Sequence, residues 1–391
     1  MSAGSTPALA VHRSRRQPDM AVIVQVANFV SPTSGGLKTS LKSLARAWAE
    51  LGHTVHTIQP GARTCSVEQG ALSVHEVVGR RIPGAGGYRA IVERGPVRRI
   101  LESVRPDVVF LSDRTTLLWT ADWAQERGIP TALIAHERVD GVLRAFVHGM
   151  PVRRISDAWN RRTAARVDAV ICTTSFAAGE FDRIAIPVKR APLGVDLDLF
   201  CPELRSGSLR RRFAARTLLG LFSRLSPEKC PEFALEVLRE HRRFDPSVHL
   251  IVGGDGPLRP RMEEAARGLP VTFLGYVSDR RELATVLASM DVVLAPGPIE
   301  TFGLAALEAL ACGTPVIANA ESGLSEVIGI DGGQALQLDA EAWARTAARL
   351  AIAGSMQRQA ARRQADRYPW SSSAHALLEV HGLEARGRAS A

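Results

Sequence analysis

The sequence predicts an α/β protein of two parallel-sheet domains, on three observations. Its 391 residues exceed what one hydrophobic core normally serves. Short apolar runs alternate with amphipathic helical stretches along the chain, the pattern of parallel α/β layers. That pattern breaks around Leu193-Gly194-Val195-Asp196-Leu197-Asp198-Leu199-Phe200-Cys201-Pro202, and a second alternating set begins after the Arg-rich segment that follows. The expected division is a disordered leader over 1–19, a first domain over 20–202, a second over 203–370, and a C-terminal helical segment over 371–391.

In the first domain, residues 21–29 read as a strand, 39–51 as a helix and 53–59 as the next strand. Further strands are expected at 108–111, 131–135 and 169–172, each an apolar run of strand length. The second set comprises 216–222, 248–252, 272–274, 292–295 and 315–318, and a last helical stretch, 371–383, follows Tyr368-Pro369-Trp370. The leader carries Arg13, Arg15 and Arg16 with no long apolar core behind them, which makes it a poor signal peptide.

Lys and Arg number 49 against 40 Asp and Glu, a formal charge of +9, with Arg runs at Arg98-Arg99, Arg153-Arg154, Arg161-Arg162, Arg210-Arg211-Arg212 and Arg362-Arg363. Such a field favours anionic partners. Nucleic acid is not expected, because aromatic content is 5% and the basic runs are not interleaved with stacking rings. Anionic lipid headgroups fit the charge, as does the plainer reading of solvated helix faces. No run reaches the roughly 18 apolar residues of a membrane helix. Cys65, Cys172, Cys201, Cys230 and Cys312 show no C-x-x-C spacing, which points away from zinc and disulfides and towards the cytoplasm.

The densest chemistry lies in Glu300-Thr301-Phe302-Gly303-Leu304-Ala305-Ala306-Leu307-Glu308. A strand ends at Pro296-Gly297-Pro298, and a helix opens near Phe302. Apart from Glu308 that helix is apolar from Leu304 to Ala311, so it is expected to be buried and Glu308 requires a donor. Glu300, Thr301 and the N–H groups of Phe302, Gly303 and Leu304 surround a helix N-terminus suited to a diphosphate. A Glu before a helix is also favoured by the macrodipole alone.

Open α/β sheets bind ligands beyond the carboxyl ends of their strands, and four further places stand there. In Ser223-Arg224-Leu225-Ser226-Pro227-Glu228-Lys229, the Ser-Pro pair reads as the start of a helix, so Arg224 and Lys229 bracket a terminus where cations are disfavoured. Either an anion bound there or pairing with Glu228 and Glu232 resolves that conflict. Gly253, Asp255 and Gly256 form a strand-end turn whose glycines allow close ligand approach. Tyr276 and Val277 follow the next strand. In the first domain, Gly35 and Gly36 follow the first strand after Ser34, and His136 follows 131–135. Gly36-Leu37-Lys38-Thr39 is no P-loop, since Leu37 separates Gly from Lys and the first Gly of that motif is missing.

Glu300 and Glu308, followed by Ala309-Leu310-Ala311-Cys312-Gly313-Thr314-Pro315-Val316-Ile317-Ala318, resemble the Glu-x7-Glu signature of retaining glycosyltransferases of family 4. The likeness runs from about Val22 to about Gly333. It implies the GT-B fold, two Rossmann-like domains facing a central cleft, with the terminal helix packing back on the first domain. By that resemblance Glu300 contacts donor-sugar hydroxyls, Glu308 binds the ribose, Arg224 and Lys229 hold the diphosphate without a metal or other cofactor, and Gly253 to Pro257 lies near the nucleotide. The loop with Tyr276 and Val277 reads the base through its backbone, and His136 matches an active-site His of related mannosyltransferases.

The whole pattern is similar to the actinobacterial phosphatidylinositol mannosyltransferase branch. The implied reaction moves a hexose, mannose from GDP-mannose, to a lipid or glycan acceptor on the inner face of the plasma membrane. A UDP-sugar donor with a soluble acceptor, an inactive nucleotide-sugar-binding protein and an epimerase of the same architecture remain open at this point.

Overall fold

The structure, a computed structural model, describes residues 20–30, 35–82, 87–146 and 151–383; the expected leader, Ser34 and the last eight residues of the C-terminal segment lie outside them. The first sheet has eight strands in the spatial order Lys189–Arg190, Ala169–Cys172, Thr131–Ala135, Val108–Leu111, Val22–Val26, Thr54–Gly61, Leu72–Val78 and Cys65–Gln69. All neighbours are parallel except the last pair. The second sheet has six, all parallel, in the order Val271–Gly275, His249–Gly253, Leu218–Phe222, Val292–Ala295, Val316–Asn319 and Gly333–Leu336.

The central strands form because their apolar runs are covered on both faces, as parallel sheets require. Val22–Val26, Val108–Leu111, Thr131–Ala135 and Leu218–Phe222 are buried at every residue. Several extents differ from the sequence reading. The first strand ends at Val26 and not at residue 29, since Phe29 takes a left-handed φ of 56°. The first helix begins earlier, at Gly36, and the last spans Trp370–Glu379.

Helix Trp370–Glu379 lies on helix Gly36–Glu50 over the first sheet. Trp48 stacks on Phe110 with ring centres 5.0 Å apart, and its Nε1 donates to the Ala374 carbonyl over 3.1 Å. The two segments that pass between the domains touch each other. Val195 bridges Pro369, and its N–H donates to the Tyr368 carbonyl over 2.8 Å. Among the described residues, no helix is long and apolar enough to cross a membrane.

Candidate active site

The second sheet changes winding direction between Leu218–Phe222 and Val292–Ala295, neighbours in space whose chains run on to opposite sides. Such a switch point opens a crevice at the carboxyl ends of the strands. Lys229 follows one of these strands and Glu300 the other, and the Lys229 Nζ donates to Glu300 Oε2 directly across the crevice. Partial burial pulls the Lys229 pKa down, but the charge and hydrogen bond of Glu300 outweigh it and leave the ammonium above its ordinary value.

The local path after Leu218–Phe222 differs from the sequence reading. Ser226-Pro227 opens a single 3-10 turn, Pro227–Lys229, and the α-helix proper starts at Phe233. Cys230, at φ 47°, ends the turn, so Lys229 sits on a tight corner and not on a helix N-terminus. The Ser226 side chain makes no cap; its Oγ accepts from Arg224 Nε at 3.0 Å and donates to Glu228 at 2.5 Å. Arg224 also donates to Glu228 and to the Tyr88 hydroxyl of the first domain at 3.3 Å. Glu232 faces Arg261 instead. Each of the two cations therefore has a carboxylate: Glu228 for Arg224 and Glu300 for Lys229.

Helix Leu304–Ala311 is buried at seven of its eight positions, Ala305 excepted. Leu307 and Leu310 are fully covered, each worth about 1.5–3 kcal/mol. The helix starts two residues after Phe302, because Gly303 takes φ 79°, and a Cβ there would stand 2.2 Å from Leu324 Cδ2. Glu308 is 5% exposed and accepts a hydrogen bond from Arg280 Nη2 at 2.9 Å. Burial lifts its pKa, and Arg280 pulls it back in part.

The glycine turn is built for the protein's own packing. A Cβ on Gly253 would meet the Phe222 ring at 2.5 Å, one on Gly254, at φ 131°, would meet the Ser223 carbonyl at 1.9 Å, and one on Gly256 the Leu225 carbonyl at 2.4 Å. The positive φ falls on Gly254, and not on Gly253 or Gly256. The turn is sewn to its neighbours by Leu225 N–H to the Asp255 carbonyl at 2.9 Å and Gly254 N–H to the Gly275 carbonyl at 2.7 Å. Asp255 accepts from Gly256 N–H and from Arg259. Beyond Gly275, Tyr276 is exposed and Val277 half-buried.

The first domain supplies the facing wall. His136 lies at the end of Thr131–Ala135, with its Nε2 3.0 Å from Ser112 Oγ at the end of the neighbouring strand. Burial and the nearby Arg114 guanidinium hold the imidazole down at about 4, so it is neutral near pH 7. Its backbone carbonyl accepts from Thr301 Oγ1. Gly35 precedes helix Gly36–Glu50, and nothing lies within 4 Å of a Cβ placed on Gly35 or Gly36, so no protein packing demands glycine at either position.

Thus Lys229 meets Glu300, and the adjacent Thr301 meets His136 across the two domains, while Arg224 reaches the first domain separately through Tyr88. Glu308 stands on the second turn of helix Leu304–Ala311 with Arg280. Tyr88, Ser112, Arg280 and Thr174, whose hydroxyl donates to the Thr301 carbonyl from the first domain, were missed by sequence reasoning. Ser112 and Thr174 had a signal, since each follows a strand; Arg280 could have been sought from the donor that Glu308 requires.

Two sheets, one wholly and one mainly parallel, with strand ends facing each other, and paired cations and carboxylates at the switch point, are the frame of a two-domain glycosyltransferase of the GT-B fold. Comparison with known proteins agrees. Residues 34–199 match the family description "Glycosyltransferase Family 4", and residues 216–353 match "Glycosyl transferases group 1". The chain is 42% identical over 369 residues to a GDP-mannose-dependent alpha-(1-6)-phosphatidylinositol dimannoside mannosyltransferase of Mycobacterium tuberculosis, covering 93% of this chain and 96% of that relative. It is 29% identical over 317 residues to a GDP-mannose-dependent alpha-mannosyltransferase of Mycolicibacterium smegmatis, covering 79% and 82%. A solved sucrose-phosphate synthase from Thermosynechococcus elongatus has the same fold, with a TM-score of 0.75 at 18% identity over 92% of this chain and 98% of that one. The chain belongs to glycosyltransferase family 4.

Proposed function

We propose that this enzyme transfers mannose from GDP-mannose to a mannosylated phosphatidylinositol or related glycolipid, with retention at the anomeric carbon. The observation that carries the reading is the Lys229–Glu300 pair at the switch point, in a chain 42% identical nearly end to end to a dimannoside mannosyltransferase. In the reaction, the bond between the anomeric carbon and the β-phosphate oxygen breaks, and GDP departs with the electron pair. The acceptor hydroxyl forms the new bond on the same face, and its proton passes to the departing phosphate. Positive charge grows on the sugar and negative charge on the diphosphate, so preorganised cations lower the barrier.

Arg224 and Lys229 are the cations for that leaving group. The diphosphate would take over contacts now made by Glu228 and Glu300, releasing Glu300 to orient sugar hydroxyls. Neutral His136 lends a hydrogen bond beside the sugar without adding charge. Glu308 binds the ribose, Gly253, Asp255 and Gly256 line the nucleotide, and the backbone at Tyr276 and Val277 reads the base. Gly35 and Gly36 face the phosphates or the acceptor. With two cations on the diphosphate, no metal or other cofactor is invoked. The first domain receives the acceptor at an anionic membrane surface.

The test is transfer from GDP-mannose, set against UDP-glucose, to vesicles carrying phosphatidylinositol mannosides, with the product linkage read by NMR. A new α-mannosyl bond formed only with GDP-mannose is the expected result. Turnover with the UDP sugar alone, or a β-linked product, would overturn the reading.

A further inference from the structure

The loop that holds Glu300 is gripped from the opposite domain. Thr174, 1% exposed at the end of strand Ala169–Cys172 and its short extension, donates its hydroxyl to the Thr301 carbonyl at 2.6 Å. The same oxygen caps helix Ser175–Asp182 by accepting from Ala177 N–H at 3.1 Å. The two preceding helix donors, Ser175 N–H and Phe176 N–H, have no partner within their own helix. They are taken by Glu326 of the second domain at 2.9 and 3.0 Å. Arg190, on the edge strand of the first domain, completes the contact with a 2.8 Å bond to the same carboxylate.

We propose that Thr174 and Glu326 form an interdomain clasp that seats the Glu300–Thr301 loop beside His136, and so act as positioning residues for sugar transfer. The geometry links the two ends. Glu326 lies on helix Leu324–Ile328, whose preceding Gly323 donates its N–H to the Glu300 carbonyl at 2.8 Å, while Thr301 bonds both Thr174 and the His136 carbonyl. Opening the domains breaks the bonds of Thr174, Glu326 and the His136 carbonyl together and withdraws Glu300, still held by Gly323, from the first domain. The inner contact, Thr174 to Thr301, is buried and directional. The outer one, Glu326 with Arg190, is partly exposed and of the weak kind that water replaces readily, as a reversible closure requires. Partial burial alone would raise the Glu326 pKa, yet the two N–H donors and Arg190 keep it below its ordinary value, so the outer contact stays charged near pH 7.

The inference rests on the role proposed for Glu300, and the experiment separates the two. Thr174→Val, Thr174→Ser and Glu326→Gln are compared with wild type for mannose transfer, GDP affinity by calorimetry and interdomain distance by paired spin labels. Glu326→Gln and Thr174→Val are expected to lower kcat roughly ten- to hundred-fold through misplacement of Glu300. GDP affinity should stay within about twofold, because neither side chain bonds Glu308 or the turn from Gly253 to Gly256; their partners are Ser175, Phe176, Arg190, Thr301 and Ala177. The distance distribution should broaden in both, and Thr174→Ser, which keeps the hydroxyl, should restore it. Unchanged kcat in folded Glu326→Gln and Thr174→Val, or loss of GDP affinity in step with kcat, would overturn the clasp. A wild type that transfers no mannose would instead sink the proposed reaction.

Discussion

Arg280 holds Glu308 from a strategic position: its Nη2 donates to the carboxylate over 2.9 Å, and its guanidinium lies 4.7 Å from the centre of the Phe200 ring. Phe200 belongs to the segment that leads from the first sheet to the second, so the donor for the buried carboxylate also touches that connection. If Glu308 binds the ribose, its ionised form must be kept available in a site whose burial favours the protonated one.

Arg280→Ala should therefore make GDP affinity depend on pH. Without the guanidinium the Glu308 pKa rises further, and GDP binding should weaken as pH falls from neutral into the acid range, where the loss of one charge-assisted contact is worth about 1.5–3 kcal/mol. Calorimetric titration across that range checks this, with Arg280→Lys restoring part of the affinity. A pH profile parallel to that of wild type would remove Arg280 from the account.

Glu308→Gln and Glu300→Gln should part company. Burial raises the Glu308 pKa in the folded state, so its ionised form is disfavoured by folding and its cost grows as pH rises from the unfolded value through the raised one. Glu308→Gln lacks that cost, and its Tm should stand at or above that of wild type at neutral pH and converge with it in acid, while GDP affinity drops. Glu300→Gln should retain GDP affinity and lose transfer. Equal loss of GDP binding in the two variants would contradict the division of roles.

Arg224→Ala and Lys229→Ala, each folded, should reduce kcat by about 10²–10³, the usual cost of removing one donor aimed at developing negative charge. Single-turnover transfer from GDP-mannose provides the measurement. Near-normal rates in both would mean that the diphosphate is neutralised elsewhere.

Much of this frame was legible because the central strands are buried on both faces and read as unbroken apolar runs. Val108–Leu111, Thr131–Ala135, Ala169–Cys172 and Val292–Ala295 have the bounds the sequence reading assigned them. The antiparallel pair Cys65–Gln69 and Leu72–Val78 was not legible. It forms the sheet edge, where Val67 and Val78 are exposed and polar residues alternate with apolar ones, so it carries no continuous apolar run. The site divides in the same way. Glu308 announced its burial through its apolar neighbours, whereas Thr174 on Thr301 and Tyr88 beside Arg224 arise only when distant strand ends are brought together.

The depressed pKa of His136 makes a prediction about acid. Burial and Arg114 hold it at about 4, below its ordinary value near 6.5. The folded state thus resists protonation, and the stability His136 contributes above its unfolded pKa is lost as pH falls through the window from about 6.5 to about 4. Other buried histidines act in the same sense, so the informative quantity is a difference: His136→Gln should show a smaller drop in Tm between pH 7 and pH 4.5 than wild type. Its transfer rate should fall at pH 7 as well, since a neutral ring donates hydrogen bonds already at that pH. An identical acid drop in Tm would place the ring in a more solvated setting than its contacts with Ser112 and Arg114 indicate.

The basic faces of the first domain supply the last prediction. Arg94, Arg98 and Arg99 are exposed on helix Arg94–Val104, with Arg94 and Arg98 lying over the Trp119 ring, and Arg153, Arg154, Arg161 and Arg162 are exposed on helix Val152–Ala164. Each cation close to an anionic bilayer adds about 1 kcal/mol, and the attraction is screened by salt. Sedimentation with liposomes should show binding that rises with the fraction of anionic lipid and falls as salt is added. Replacing Arg153, Arg154, Arg161 and Arg162 together by Gln should weaken that binding and raise KM for a lipid-embedded acceptor, while GDP affinity, which belongs to the other domain, stays unchanged. If the wild-type protein remains in the supernatant at low salt with anionic vesicles, the acceptor must reach the first domain without help from surface charge, and a soluble glycan becomes the better acceptor.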